Sequence, residues 1–355
     1  MPYSATKSSP VTHQVDFSVI VTPPYHCKVL KVWIPIPQTD SAQEICESQF
    51  STFPTNIKPS INTEPVYGNQ FAYFEFHDPQ GAQIIRHQFQ AKLWNLHWDL
   101  KPTKILDVNK WPTDFAPYLQ PQSLNDEREF QSVLNSILPQ QRDQQSDLFA
   151  VMNWIDETMT YDHVDASLQA DANHAFEKQH GHCSDYHGLC ATMGRMIGRP
   201  TRVTYGLALY PKNSPSHCKM EAFLPPYGWV SFDLSETQKL VSKIQSTKTL
   251  SQDKKEALAI AARDRLKSGF RENSWLLVTK GTNYELAPRA TKPVKVVRTA
   301  YIEADGEPLP EPDPANPHER KFSWMTSHRY SSSKPIVKPF ADFTTLEKTR
   351  TSESE

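Results

Sequence analysis

Two segments decide the fold: GHCSDYHGLCATMGRMIGRP (residues 181–200) and HCKMEAFLPPYGWVSFD (residues 217–233). In the first, apolar residues from Leu189 to Ile197 recur on one helical face, and Gly198 and Pro200 end the helix. Cys183 is therefore predicted at a helix N-terminus. Free N–H groups and the positive end of the helix dipole lower the pKa of a thiol there and can hold an oxyanion.

The second segment is typical of a β-hairpin, with Met220–Leu224 and Trp229–Phe232 as strands around a Pro-Pro-Tyr-Gly turn. Residues near the open ends of antiparallel strands are neighbours, so His217 and Asp233 can approach each other. A carboxylate on one imidazole nitrogen leaves the other nitrogen free to take a thiol proton. Cys183, His217 and Asp233 are therefore predicted as the nucleophile, base and orienting group of a thiol acyl-transfer site.

Upstream of this region the pattern is that of β-strands. Val15–Val19 alternates, Val29–Ile34 is rich in β-branched and aromatic residues, and Phe71–Phe76 and Ile84–Trp94 follow turn signals. We interpret these strands as a small β-sandwich. A helical period begins after a proline-rich connection, so the predicted fold class is α+β.

The predicted domains are a flexible arm (1–12), the β-sandwich (13–112), a catalytic domain (113–306) and an extended or partly disordered tail (307–355). Within the catalytic domain we expect a helix from Ser146, a second near Ser251–Ser268 and a strand at Pro293–Val297. The tail is polar with several prolines, a composition that buries little apolar surface.

The composition excludes several classes of partner. The 355 residues include 38 basic and 40 acidic ones, so no strong field attracts the chain to nucleic acid or to an anionic membrane. No apolar run reaches the roughly 18 residues of a membrane span, and the N-terminus lacks a signal-peptide core, so we expect a cytoplasmic protein, or a secreted one if a leader has been removed. Five irregularly spaced cysteines predict free thiols rather than a disulfide framework.

The central motifs resemble the core of the bacterial transglutaminase-like superfamily of papain-type enzymes. The resemblance rests on Gly181-x-Cys183-x-Asp185-Tyr186-His187, Gly198-Arg199-Pro200, His217-x-x-x-Glu221 and Gly228-Trp229-Val230-x-x-Asp233, and with weaker motifs it extends over residues 14–306. It implies a papain-like core in which Cys183 attacks an amide carbonyl, His217 acts as base and Asp233 orients it. It also implies an acyl-thioester intermediate, a protein or peptide substrate, and no metal or cofactor.

The chain departs from the family at one position in the site. Many relatives carry tryptophan two residues after the histidine, where this chain has Lys219, and we expect this change to alter the wall of the cleft. The family's second oxyanion donor is an upstream polar or aromatic side chain; Tyr161 and Trp154 are candidates, but packing is an equal alternative for both, and the predicted catalytic set does not include them. We expect hydrolysis rather than transfer, because nothing marks an amine-acceptor site or the acidic calcium loops that regulate some relatives.

Two other hypotheses remain open at this stage. Cys183, His187 and Cys190 share one helical face, and His217-Cys218 adds two soft ligands, so a zinc site is chemically possible. Alternatively, the fold is a catalytically silent peptide-binding module. The presence of all three catalytic residue types favours an enzyme, either a cysteine peptidase or an acyltransferase.

Overall fold

The computed structural model describes residues 3–140, 143–212, 214–318 and 323–346. The strands are β1 (Thr6–Val21), β2 (Val29–Ile36), β3 (Gln43–Phe53), β4 (Ser60–Thr63), β5 (Gln70–His77), β6 (Gln83–His97), β7 (Thr160–Tyr161), β8 (His180–Gly181), β9 (Thr201–Ala208), β10 (Ser216–Leu224), β11 (Gly228–Phe232), β12 (Phe270–Arg271), β13 (Trp275–Lys280), β14 (Tyr301–Ala304), β15 (Glu307–Pro308) and β16 (Trp324–Ser332). The α-helices are α1 (Ala116–Leu119), α2 (Glu127–Ile137), α3 (Gln144–Thr158), α4 (Ala172–Lys178), α5 (Cys183–Met196), α6 (Leu234–Ser246) and α7 (Gln252–Ser268). Short 3₁₀ helices span Pro102–Lys104, Thr113–Phe115 and Phe343–Leu346.

Two of the sheets face each other as a sandwich. One has the strand order β12-β6-β1-β16, with β3 added beside β6, and the other has the order β15-β14-β2-β5-β4. Alternate residues of β1, among them Val15, Phe17 and Val19, share one hydrophobic cluster with Leu30 and Phe74 of the second sheet. The predicted α+β class with a strand-rich N-terminal region is confirmed.

The sandwich also takes strands from the C-terminal part of the chain. β14 pairs with β2, and β16 pairs with β1 from His13 opposite Ser332 to Val21 opposite Trp324. The prediction of an extended or partly disordered tail over 307–355 is therefore wrong for β16. Only Trp324 of β16 is fully buried, so the strand carries no hydrophobic alternation that the sequence could show. Residues 319–322 and 347–355 of the predicted tail lie outside the described residues.

The predicted N-terminal arm is shorter than expected. β1 begins at Thr6, which pairs with His97, so the prediction of a flexible arm over 1–12 is wrong from Thr6 onward. The first five residues of β1 are exposed or half-buried and hence lack a strand-like burial pattern. Met1 and Pro2 lie outside the described residues.

The predicted catalytic domain has as its core a helix packed on an antiparallel sheet. The sheet has the order β11-β10-β9-β13, and α5 lies against β9 and β10. Leu189 and Met193 of α5 share a buried cluster with Met220, Val230 and Val151, the last of these from α3. The packing fixes the N-terminus of α5 next to the open end of the β10–β11 hairpin.

Two elements differ from the sequence expectation. The strand predicted at Pro293–Val297 is absent from the described residues, where only Val294 forms an isolated bridge, with Tyr284. Helix α6, interpreted from the sequence only as a polar run, buries little more than Leu240 and Ile244 in a small cluster. Leu234, Leu240, Val241 and Ile244 do recur at helical spacing, and the interpretation as a polar run missed this signal. None of the helices in the described ranges is long and apolar enough to cross a bilayer.

Candidate active site

Cys183 is the first residue of α5. Its N-cap is His182, whose Nδ1 accepts a hydrogen bond from the Ser184 N–H at 3.1 Å, while the Asp185 carboxylate accepts one from the His182 N–H at 3.0 Å. Gly181 is required before this cap because a Cβ there would lie 2.4 Å from Asp185 Oδ2. The two reciprocal bonds hold the thiol at the positive end of the helix dipole.

His217 and Asp233 meet at the open end of the hairpin. His217 Nε2 lies 2.7 Å from Asp233 Oδ2, and both side chains are buried. Asp233 is also the N-cap of α6, since its Oδ1 accepts a hydrogen bond from the Glu236 N–H at 3.1 Å. His217 Nδ1 is buried without a hydrogen-bond partner among the described residues, so it is the nitrogen left to exchange a proton with a thiol.

The electrostatics of the site favour a thiolate and an imidazolium. A hydrogen bond from Cys218 is the largest cause that holds the pKa of Cys183 well below its ordinary value, helped against burial by the charges of His182 and His217. Burial acts to lower the pKa of His217, but the charge of Asp233 outweighs it and raises the pKa to about 9. The structure therefore places Cys183, His217 and Asp233 close enough for each to shift the pKa of its neighbour, in the directions that a thiolate and an imidazolium need.

Comparison with known families agrees with this geometry. Residues 131–234, which include all three side chains, match the model of the transglutaminase-like superfamily. This part of the chain therefore has the core of the transglutaminase-like superfamily. Comparison with curated proteins finds no match.

Comparison with solved structures extends the likeness beyond the transglutaminase-like core. A candidate cysteine protease from Cytophaga hutchinsonii superposes with a TM-score of 0.61, at 13% identity over 94% of each chain. The periplasmic domain of TgpA from Pseudomonas aeruginosa, bound to ethylmercury, gives a TM-score of 0.32 at 16% identity, over 61% of this chain and 88% of that one. The first of these shows that the sandwich and the core occur together in another protein.

Cys218 and His187 form a hydrogen-bond chain that ends at Cys183. The Leu234 N–H donates to His187 Nε2 at 3.0 Å, so this nitrogen is unprotonated and Nδ1 carries the proton of the neutral ring. Burial lowers the pKa of His187 to about 4, which keeps the ring neutral. Nδ1 lies 3.6 Å from Cys218 Sγ, so it donates to that sulfur, and the Cys218 S–H is left to point at Cys183. Sequence reasoning assigned neither residue this role.

Lys219 lies inside the protein and does not form a wall of the cleft. Its side chain is 0% exposed, with Nζ 2.6 Å from Asp233 Oδ2 and 2.8 Å from Glu272 Oε2. The ammonium also lies 5.2 Å from the ring centroid of Trp275, whose Nε1–H donates to the His217 carbonyl at 3.0 Å. Lys219, the departure from the family pattern, is thus a buried cation in direct contact with the Asp233 carboxylate.

The structure favours Tyr161 over Trp154 as the second oxyanion donor. Strand β7 pairs with β8 so that Tyr161 lies opposite Gly181, beside the N-terminus of α5. Burial, followed by the negative charge of Cys183, raises the pKa of Tyr161 well above its ordinary value, so the phenol keeps its proton. Trp154 instead packs on Phe176, with ring centroids 5.9 Å apart.

The zinc hypothesis lacks a ligand set. His187 bonds through Nδ1 to Cys218 and through Nε2 to a backbone N–H, and Cys190 is buried in the core, where desolvation raises the pKa of its thiol to about 12. Across the part of the chain that the structure describes, no three His, Cys, Asp or Glu side chains are grouped to hold a metal ion. Cys183, His187 and Cys190 share a helical face but do not converge on one point.

Proposed function

We propose that the protein is a cysteine-dependent hydrolase of peptide or isopeptide amides. The observation that carries the proposal is the 2.7 Å contact between His217 Nε2 and Asp233 Oδ2, which leaves the buried Nδ1 for the thiol of Cys183. The matched family and the depressed pKa of Cys183 support the same reading.

The reaction proceeds in two stages. The Cys183 thiolate attacks the amide carbonyl carbon, and the oxyanion is held by the first-turn N–H groups of α5 and the Tyr161 hydroxyl. The His217 imidazolium gives its proton to the leaving nitrogen, the C–N bond breaks, and an acyl-thioester remains. His217 then takes a proton from water, whose oxygen attacks the thioester and releases a carboxylic acid and the thiolate. Asp233 holds the ring in one tautomer throughout.

Hydrolysis and amine transfer differ only in the molecule that resolves the thioester. Water needs no binding site of its own, whereas an amine acceptor does, and so hydrolysis is the simpler proposal. Incubation of a peptide library in ¹⁸O-water with biotin-cadaverine distinguishes the two. Mass spectrometry is expected to find new C-termini carrying ¹⁸O; products that carry only the biotin tag would contradict hydrolysis and support transfer.

The thiol of Cys183 is expected to react with iodoacetamide at pH values well below the ordinary cysteine pKa of about 8.5. Only the thiolate reacts, and a lowered pKa keeps that form populated as the pH falls. Peptide mapping after alkylation at pH 5 to 9 measures the rate at each cysteine, with the exposed Cys46 as internal reference. Slow and parallel labelling of both cysteines would favour the catalytically silent peptide-binding module instead.

Tyr161→Phe is expected to lower kcat about 100-fold while KM changes little. The phenol contributes a hydrogen bond only when the oxyanion develops, and loss of one such donor costs about 10²-fold or more. Trp154→Phe is the matched control, because that ring packs away from the site and its change should leave kcat near the wild-type value. Equal effects of the two substitutions would remove Tyr161 from the mechanism.

A further inference from the structure

A cavity of about 910 Å³ lies along β16, and although Cys183, His217 and Asp233 do not line it, its lining includes the residue before His217. Its walls are the loop between β9 and β10, the segments 298–299 and 311–314, and the strand β16. Ser216, which precedes His217 on β10, lines one end. We refer to the space lined by Lys212, Ser216, Arg298, Glu311 and residues 324–330 as the β16 groove. Its volume lies in the range of ligand-binding clefts.

The groove follows the free edge of β16. Consecutive residues of a strand point to opposite faces, so a cavity lined by all residues from 324 to 330 runs along the edge of the strand and not over one face. Among the described residues, β16 pairs only with β1 and is the last strand of its sheet. The edge is therefore open to a further strand.

The register identifies which backbone groups are available. The Thr22 N–H donates to the Ser323 carbonyl at 2.8 Å, and the Ser333 N–H donates to the Thr12 carbonyl at 2.8 Å. Odd-numbered residues of β16 thus bond to β1, and the alternation of an antiparallel pair turns the N–H and C=O groups of even-numbered residues outward. Thr326, one of these residues, lines the groove.

The lysine in the groove lining is linked to His217 through one carboxylate, since Glu236 Oε1 lies 3.9 Å from His217 Nδ1. Glu236 Oε1 accepts Lys212 Nζ at 3.2 Å and is also paired with Lys239, so two lysines share one carboxylate. Burial acts to lower the pKa of Lys212, but the negative charges of Glu236 and then of Cys183 outweigh it and raise the pKa, so the ammonium keeps its charge. The side chain of Lys212 keeps 22% of its surface exposed and can accept a further anionic partner.

Arg298 connects the groove to the helix that carries the nucleophile. Its Nη1 lies 3.3 Å from Nε2 of His182, the N-cap of α5, and its Nε lies 3.0 Å from Glu311 Oε2. The guanidinium is buried and held from two sides. Arg298 thus lines the groove and at the same time contacts the N-cap of the helix that begins at Cys183.

We propose that the β16 groove binds the substrate as an extended peptide, which pairs with the outward edge of β16 and places an acidic side chain at Lys212. This inference rests on the proposed function, because the peptide in the groove is the one whose amide Cys183 attacks. Main-chain pairing supplies affinity for any extended sequence, and the lysine supplies the preference for a carboxylate. The occupant is a peptide strand rather than a folded domain, since the free edge of β16 offers one row of backbone groups for pairing.

Binding is measured with the Cys183→Ala variant, so that no turnover occurs. The probes are two pools of fluorescein-labelled decapeptides of Ala, Ser, Thr and Val, one with a fixed Glu and the other with Gln at the same position. Fluorescence anisotropy is expected to show about fivefold tighter binding of the Glu pool. Lys212→Gln should abolish that difference, whereas Lys292→Gln, an exposed lysine paired with Glu307 outside the groove, should preserve it.

Pairing of the peptide with the edge of β16 is tested by changes in the protein and, separately, in the peptide. Thr326→Pro removes an outward N–H without touching the ladder to β1 and should weaken both pools about fivefold. N-methylated versions of the peptides remove the donors from the ligand and should weaken binding to the unchanged protein as well, so the test does not depend on how the proline variant folds. Iodoacetamide labelling of Cys183 in a Thr326→Pro protein that keeps the cysteine should match wild type.

The two proposals fail in different ways. Equal binding of the Glu and Gln pools, or full binding of the N-methylated peptides, would overturn the groove while rapid low-pH alkylation of Cys183 still supported the enzyme. The predicted peptide binding together with slow alkylation of Cys183 would support the groove and contradict the hydrolase.

Discussion

Cys183→Ala is expected to remove amide turnover, with a fall in kcat of roughly 10⁴-fold or more. The substitution deletes the nucleophile, and no other described thiol can replace it, because Cys218 donates its proton toward Cys183 and Cys190 is buried in the core. The fold should remain intact, since the substitution removes a single sulfur atom whose hydrogen-bond partners are Cys218 and His217. The free energy of unfolding is expected to change by no more than about 1 kcal/mol.

Cys190→Ala is the matched control for this prediction. It lies on the same helix but has only 1% of its surface exposed and belongs to the hydrophobic cluster. Its loss should leave kcat unchanged and cost about 1 kcal/mol in urea unfolding. Cys183→Ala should therefore lower kcat with little change in stability, whereas Cys190→Ala should lower stability and leave kcat unchanged. Normal turnover in Cys183→Ala would exclude the thioester mechanism for whichever amide is cleaved.

The position of the three catalytic residues could be predicted because each rests on a local signal. The period from Leu189 to Ile197 predicts the helix that begins at Cys183, and a Pro-Pro-Tyr-Gly turn predicts the hairpin that brings His217 and Asp233 together. These patterns lie within a few residues of the groups they position. The family resemblance adds roles to residues that the local signals had already brought near one another.

Contacts between distant parts of the chain could not be predicted in the same way. The sequence shows that Lys219 departs from the family pattern. Its partner Glu272, however, is remote in sequence and comes from the segment before β13. Strand β16 has one fully buried residue, so its pairing with β1 is decided by the backbone of the sheet edge and not by a hydrophobic pattern. In both cases the sequence shows the residues and only the fold shows what they contact.

Lys219→Met is expected to lower the free energy of unfolding by about 3–5 kcal/mol at pH 7. The methionine fills most of the same space but leaves Asp233 with one cationic partner fewer and Glu272 without the ammonium at 2.8 Å. Both carboxylates are buried, so water cannot replace the lost charge. Urea unfolding at constant m-value measures the effect.

The pH dependence of the loss distinguishes an electrostatic role for Lys219 from a packing role. Burial opposes ionisation of Asp233, but His217 and Lys219 together hold its pKa well below the ordinary value. A depressed carboxyl pKa stabilises the fold above the unfolded pKa of about 3.9, and this contribution is lost as the pH falls through the folded value. Removal of Lys219 moves the folded pKa of Asp233 upward, so the difference between variant and wild type should shrink from pH 7 toward pH 3. A loss that stays constant over this range would indicate packing alone.

The double variant Lys219→Met/Glu272→Gln separates the cost of an unpaired charge from the value of the ion pair. If Glu272 is destabilising only when its cation is absent, then Glu272→Gln should cost little by itself and recover a large part of the Lys219→Met loss. The Asp233 carboxylate still contacts His217 at 2.7 Å in this double variant, so the catalytic pair is retained. If the effects of the two substitutions are additive, Lys219 stabilises the fold through its contact with Asp233 and not through Glu272. A double-variant loss about 1–3 kcal/mol smaller than the sum of the two single losses would instead make Asp233, Lys219 and Glu272 one unit that holds the Asp233 carboxylate in place.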